Sequence, residues 1–290
     1  MITRHFEQLP KPYAAYGKIL LGFIKGQPKT KTKVLPQSES VVDRLVIDQA
    51  HLQAYNELCG FKQQGILPPT YLAVLSQSLQ VGMMTDPSFP FPVLGLVHVR
   101  NSVSQKRPIK TSEVLRLSCK FGDLKPHDKG LEFDFITTAT VDNNVVWSGV
   151  STYLVRQKTA ASGVAVKPAN KPSKLARQAG DVHGVWPVPE NIGRRYGMVS
   201  GDINMIHMHA LTAKVFGFPK AIAHGMWTKA RCLAALGDLP DAYDVEVQFK
   251  LPVFLPAQVE FTAHPDQSTV FELNDAKSGK PHLAGSLTKR

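Results

Sequence analysis

The chain repeats itself, and that repeat restricts its fold more than any other feature. Ile47–Gly60 aligns with Val188–Gly201, which sets Tyr55 against Tyr196 and Gly60 against Gly201. Both segments read as helices with a polar or proline start and a glycine stop. Thr70–Val81 then parallels His224–Ala235, each a long, largely apolar helix suited to burial. Alternating stretches follow in both halves. Val97–Val103 and Arg107-Pro-Ile stand opposite Val245–Val253 and Leu255-Pro-Ala. Glu113–Lys120, Leu131–Asp142 and Val145–Arg156 are matched by Ala257–His264, Thr269–Asn274 and His282–Thr288. Turn residues separate these strands, as at Asp142–Asn144 and Lys277–Gly279.

One buried helix followed by an antiparallel sheet, used twice, is an α+β layer plan. Each sheet wraps its helix, and two such units side by side can extend one sheet across both halves. The chain is then a pseudo-dimer within itself. Residues 158–180, rich in Ala, Pro, Ser, Gly and Lys with no periodic apolar pattern, read as a linker. The expected organisation is an N-terminal extension and first unit over 1–157, the linker, and a second unit over 181–290. At 290 residues the chain can bury such a core. Near the N-terminus, Tyr13–Ile24 is apolar but interrupted by Lys18, and no small-residue cleavage site follows. It reads as a docking helix rather than a signal peptide, with a surface-lying amphipathic anchor as the other reading.

The net charge is +11, and much of it is local. Arg156, Lys158, Lys167, Lys171, Lys174 and Arg177 follow one another with no acidic residue between them. Basic charge favours anionic partners. No nucleic-acid motif or aromatic-basic strip accompanies it, so nucleic acid is not expected. A coenzyme A thioester with its phosphates fits, as does an acidic acyl carrier protein. A solvated linker that serves solubility fits equally. Cys59, Cys119 and Cys232 are far apart and form no CxxC pair. That argues for a reducing compartment, the cytoplasm, and against disulfides or a thiolate zinc site. No apolar run approaches the ~20 residues of a membrane span.

Chemistry concentrates in Tyr196-Gly-Met-Val-Ser-Gly-Asp-Ile-Asn-Met-Ile-His207 and in Ala223-His-Gly-Met226. An acid, an amide and an imidazole fall within six residues (Asp202, Asn204, His207), and Gly225 stands where a helix begins. Such a set can position a water and stabilise an oxyanion without a metal. The repeat places Phe61 opposite Asp202, Gln63 opposite Asn204, Ile66 opposite His207, Thr70 opposite His224 and Tyr71 opposite Gly225. The first half has lost each candidate group, so one site per chain is expected, in the second half. Blander roles exist for each residue alone. Asp202 and Asn204 suit a turn, His207 a partly buried structural histidine, and His224 a helix cap or the orienter of a catalytic group. Tyr196 and Phe216 suit the core or a pocket wall. His209, two residues after His207, points elsewhere if a helix starts here.

Tyr-x3-Ser-Gly-Asp-x-Asn-x2-His, then Phe-Gly-Phe-x4-Ala-His-Gly-Met, resembles the MaoC-like dehydratases of the (R)-specific enoyl-CoA hydratase 2 group. The double-hotdog 3-hydroxyacyl-thioester dehydratases come closest. The likeness runs from about Val46 onward and includes Arg107-Pro-Ile, Trp147 and the Pro-rich linker. It implies a double hotdog, two antiparallel sheets each wrapped around a central helix. It implies that Asp202 and His207 activate a water that adds syn to a trans-2-enoyl thioester, the reverse reaction dehydrating an (R)-3-hydroxyacyl thioester. Asn204 then fixes the loop, the Gly225 N–H faces the thioester oxygen with His224 in support, and Tyr196, Met205, Phe216 and Met226 line the pocket. The first half can supply apolar wall for an acyl tail. The family's proline after the asparagine is replaced here by Met205, which removes a restriction on that turn.

Physical chemistry suits these roles. An imidazole titrates near pH 6.5 and can serve as base. A backbone amide at a helix start has a favourable dipole and no intrahelical partner. Rival readings are a metal site built from Asp202, His207, His209 and His224, and a Ser200 nucleophile. Neither HExxH nor cysteine-rich spacing accompanies the first, and no GxSxG the second. With no GxGxxG or phosphate loop either, the expectation is no metal and no cofactor beyond the coenzyme A carrier. Alternatives on the same fold are a non-catalytic acyl-CoA or lipid binder and a thioesterase. The chain is expected as a monomeric pseudo-dimer or a homodimer.

Overall fold

The computed structural model describes residues 2–12, 17, 33–157 and 175–290. The docking helix expected at Tyr13–Ile24 lies outside them but for Gly17, and so does most of the 158–180 linker. Among the described residues the first half carries β1 (Ile2–Phe6), β2 (Ser38–Leu45), α1 (Gln49–Cys59) and α2 (Tyr71–Met84). Its sheet is completed by β3 (Leu96–Gln105), β4 (Leu115–His127), β5 (Gly130–Val141) and β6 (Asn144–Arg156). The second half carries β7 (Val182–Val188), α3 (Ile192–Ser200), α4 (Met205–Met208), α5 (Ala210–Val215) and α6 (Gly225–Leu236). It ends in β8 (Tyr243–Phe249), β9 (Ala257–His264), β10 (Ser268–Asp275) and β11 (Pro281–Lys289).

The strands form one 11-stranded sheet in the order β1-β2-β4-β5-β6-β3-β8-β11-β10-β9-β7. Read outward from the middle, each half follows the same path. The halves meet at the antiparallel pair β3–β8, with Val103 opposite Val245. Two repeated units therefore do share one sheet; the longer strands read from alternation appear, but Arg107–Ile109 and Leu255-Pro256 lie outside any strand and β8 stops at Phe249, short of Val253. Three strands escape that reading: β1, β2 and β7. β1 runs parallel to β2 at one edge, and β7 forms the other edge against β9.

Local chemistry explains the joints. Asp142 and Asn143 take φ of 47° and 62° between β5 and β6, the two-residue hairpin turn that Asn and Asp tolerate best. Helix α1 stops at Gly60 with φ 82°, and α3 stops at Gly201 with φ 75°; both need the left-handed conformation that glycine adopts freely. The central helices α2 and α6 follow the residues Thr70 and His224. Sheet residues such as Leu117, Phe135, Trp147, Val245, Phe261 and Leu273 close over them and are almost fully buried. His51 clasps the halves together: its Nε2–H donates to the Val199 carbonyl (2.7 Å) and its Nδ1 accepts from the Tyr71 hydroxyl (2.8 Å).

Candidate active site

The reversal at Gly201 ends α3 and places Asp202 at the start of a tight loop. Asp202 Oδ1 accepts from the Asn204 amide (3.3 Å), and Asn204 Oδ1 accepts from the Ile206 amide (3.4 Å), starting α4. Asn204 is thus a helix cap that fixes the loop. One turn later α4 delivers His207. Its helix lies so close to α3 that a Cβ on Gly193 would overlap the His207 carbonyl oxygen and stand 3.1 Å from its carbon. A side chain at that position would force α3 and α4 apart.

The structure brings Asp202, His207 and His224 together. His207 Nδ1–H donates to the Ile222 carbonyl (2.8 Å), so Nε2 carries the lone pair. His224 Nε2–H donates to the Asp202 backbone carbonyl (2.9 Å) and stands 3.9 Å from the Asp202 carboxylate. The two rings stack with centroids 3.6 Å apart. One ligand-capable atom from each of the three residues falls within 4.8 Å of the others. Both histidines are buried, while the Asp202 side chain keeps 27% of its surface open.

Burial disfavours charge on either ring. It holds His207 below the usual imidazole range, with Asp202 acting against the shift. For His224, burial and then the neighbouring His207 lower the value to about 3. At neutral pH the pair are uncharged imidazoles, and His207 Nε2 is a base that retains its lone pair. The set could also ligate a metal through His207 Nε2 and the carboxylate, but the His224 nitrogen facing that carboxylate is already a donor to the Asp202 carbonyl.

Gly225 opens α6, where first-turn amides lack intrahelical partners. A Cβ there would stand 2.9 Å from the Phe249 ring, so the helix start and β8 meet only because the residue is glycine. His224 precedes it but makes no side-chain cap bond; its ring is given to the Asp202 loop instead. Tyr196 is buried on α3 with its ring 5.0 Å from His224. Met205 begins α4 at 37% exposure. Phe216 ends α5, half-buried, and Met226 packs partly against the core. His209 does not join the trio: its Nδ1 accepts from the Leu211 amide (3.1 Å) and caps α5.

Sequence reasoning missed three contributors. Gly193 carries no motif; only the interhelical approach reveals its need. His98 and Tyr153, from β3 and β6 of the first half, lie within electrostatic reach of Asp202. Nothing local to those strands signals it, because the seam with β8 brings them there. Lys229, one turn along α6, is fully buried and donates to Asn101 Oδ1 (2.5 Å); burial pushes it down to about 7. A polar groove of about 380 Å³ on the sheet, bordered by Arg100, Thr152, Glu246 and Gln248, contains none of the trio.

The family described as MaoC like domain matches residues 174–283, which include every member of the trio. The chain is 35% identical to 3-hydroxyacyl-thioester dehydratase X of Mycobacterium tuberculosis over 89% of its own length and 91% of that protein's. It superposes on the crystal structure of HtdX of Mycobacterium tuberculosis with a TM-score of 0.74 at 31% identity, covering 87% of this chain and 100% of that one. A MaoC-like dehydratase from Phytophthora capsici shares the fold, with a TM-score of 0.70 at 18% identity over 89% of this chain and 97% of the other. With that identity sustained along nearly its whole length, the chain belongs to the MaoC-like dehydratase family.

Proposed function

We propose that this protein is an acyl-thioester hydratase and dehydratase, which adds water to trans-2-enoyl thioesters and removes it from (R)-3-hydroxyacyl thioesters. The supporting observation is the convergence of the Asp202 carboxylate, the lone-pair nitrogen of His207 and the start of α6. In the forward direction His207 Nε2 takes one proton from a water whose oxygen bonds to the β-carbon. Asp202 holds the water's second hydrogen. The α-carbon receives a proton through the same pair, so water is added across the double bond with no other reactant. Charge that builds on the thioester oxygen is met by the Gly225 N–H; one such donor is worth about 3 kcal/mol in a transition state. His224 holds the Asp202 loop, Asn204 caps it, and Tyr196, Met205, Phe216 and Met226 bound the acyl chain.

The reading requires no cofactor beyond the thioester carrier, coenzyme A or acyl carrier protein, and no metal. The three free, buried cysteines support a reducing compartment, and we assign the protein to the cytoplasm. Among the described residues no helix is long and apolar enough to cross a membrane. The two halves complete one site, which is compatible with a monomer or a homodimer.

The test is a panel of trans-2-enoyl-CoA and enoyl-carrier substrates of several chain lengths, followed by loss of conjugated absorbance and by thiol release. Absorbance loss without thiol release, giving the (R)-3-hydroxy product, is the expected result. Thiol release would identify a thioesterase, and tight binding with no reaction on any substrate would identify a binding module.

A further inference from the structure

The first half has no acid or imidazole in the loop equivalent to Asp202–His207, yet it sends one imidazole toward the site. His98 on β3 stacks on Tyr153 with centroids 4.7 Å apart and 14° between planes. It meets Phe249 edge-on at 5.1 Å, and Phe249 is the ring against which Gly225 packs. A short aromatic wall thus runs from the oxyanion-binding start of α6 to His98. The residue is partly exposed, but its Nε2 is sealed from solvent and has no partner among the described residues. Its backbone bond to Arg100 uses the other ring nitrogen. Tyr153, the neighbouring polar ring, is already committed, donating to Gln80 Oε1 (3.2 Å). Lys229 is likewise occupied by Asn101.

An orphaned buried acceptor costs free energy unless a partner arrives. Burial and the nearby Lys229 hold His98 down at about 4, so at neutral pH Nε2 offers a lone pair, not a proton. The missing partner must be a donor.

We infer that His98 is a specificity-determining residue, contributed by the first half, whose Nε2 accepts a hydrogen bond from an N–H or O–H group of the thioester substrate. Two parts of such a substrate carry that chemistry: the amides of the pantetheine arm and a hydroxyl on the acyl chain beyond the reacting carbons. The inference rests on the hydratase reading, and binding rather than turnover separates the two.

Three saturated, unreactive ligands decide it: an acyl-CoA, the same acyl group on a simple alkyl thiol, and the acyl-CoA with a hydroxyl along its tail. Each is titrated by calorimetry against the wild type and against His98→Phe, which keeps the ring and removes the acceptor. If the arm supplies the donor, the variant weakens both CoA esters roughly tenfold (~1.4 kcal/mol) and spares the alkyl thioester. If the tail supplies it, only the hydroxylated ligand weakens. Equal change for all three, no change for any, or no binding by the wild type overturns the inference. Failure of wild-type turnover on enoyl-CoA, with the binding pattern intact, would instead overturn the hydratase reading alone.

Discussion

Gly193→Ala perturbs the site without touching a reacting group. The added Cβ would overlap the His207 carbonyl oxygen, stand 3.1 Å from its carbon and 3.5 Å from its Cα, whereas ordinary contact begins near 3.4 Å. About an ångström must open between α3 and α4. Overpacking of this kind costs about 1–3 kcal/mol, and the better helix propensity of alanine returns up to about 1 kcal/mol. Net destabilisation is therefore about 0–2 kcal/mol, measurable by urea unfolding with the fold retained. Activity should suffer more. Moving His207 by an ångström pulls its Nε2 away from Asp202, and a misplacement of that size costs on the order of 100-fold in rate. The assay is kcat/KM on a trans-2-enoyl-CoA. Gly82→Ala on α2 is the matched control, because a Cβ there meets nothing within 4 Å. It should gain up to about 1 kcal/mol of stability and leave kcat/KM unchanged. Wild-type kcat/KM in Gly193→Ala would refute the claim that this helix contact sets the position of His207.

Acid should destabilise the fold well before its carboxylates titrate. Burial lowers His98 to about 4 and His224 to about 3, and lowers His207 as well. The unfolded chain binds protons near 6.5 that the folded chain refuses, so from these groups stability is full above that pH and falls as pH drops toward 3, at up to ~1.4 kcal/mol per unit for each. An unfolding free energy that is flat from pH 7 to 5 would contradict this. Met205→Pro should be tolerated and stabilise by about 0.4–1 kcal/mol: position 205 is the first residue of α4, where proline fits, and Asn204 already has φ −56° and ψ 129°, the extended backbone that precedes proline. A Tm below wild type would contradict that. Treatment with a chelator should leave turnover unchanged, whereas loss restored by zinc would make the trio a metal site.

The architecture was largely legible because it rests on short-range pattern. Alternation in β3–β6 and β8–β11, and the apolar runs of α2 and α6, mark elements whose burial is periodic. Gly60 and Gly201 mark helix ends because few other residues take positive φ. The edge strands were not legible: β7 contains Gly184 and Pro187 and alternates only against β9, and β2 reads as Ser-Glu-Ser before its apolar core. The site was half legible. Asp202, Asn204 and His207 lie within six residues, in a loop and the short helix it starts, so spacing alone groups them. His98, Tyr153 and Gly193 act through contacts made by the β3–β8 seam or by helix packing, which no local pattern encodes. His224 read either as a helix cap or as the orienter of a catalytic group; it makes no cap bond, and its ring turns to the Asp202 carbonyl.

The most direct measurement is kcat of Asp202→Asn on trans-2-enoyl-CoA, with unfolding followed on the same sample. The carboxamide keeps the size of the side chain but loses the negative charge that holds the water's second hydrogen and cannot relay a proton to the α-carbon. A loss of 10²–10⁴-fold with the fold intact is the result this account requires; an Asp202→Asn protein that hydrates enoyl-CoA at the wild-type rate would contradict it.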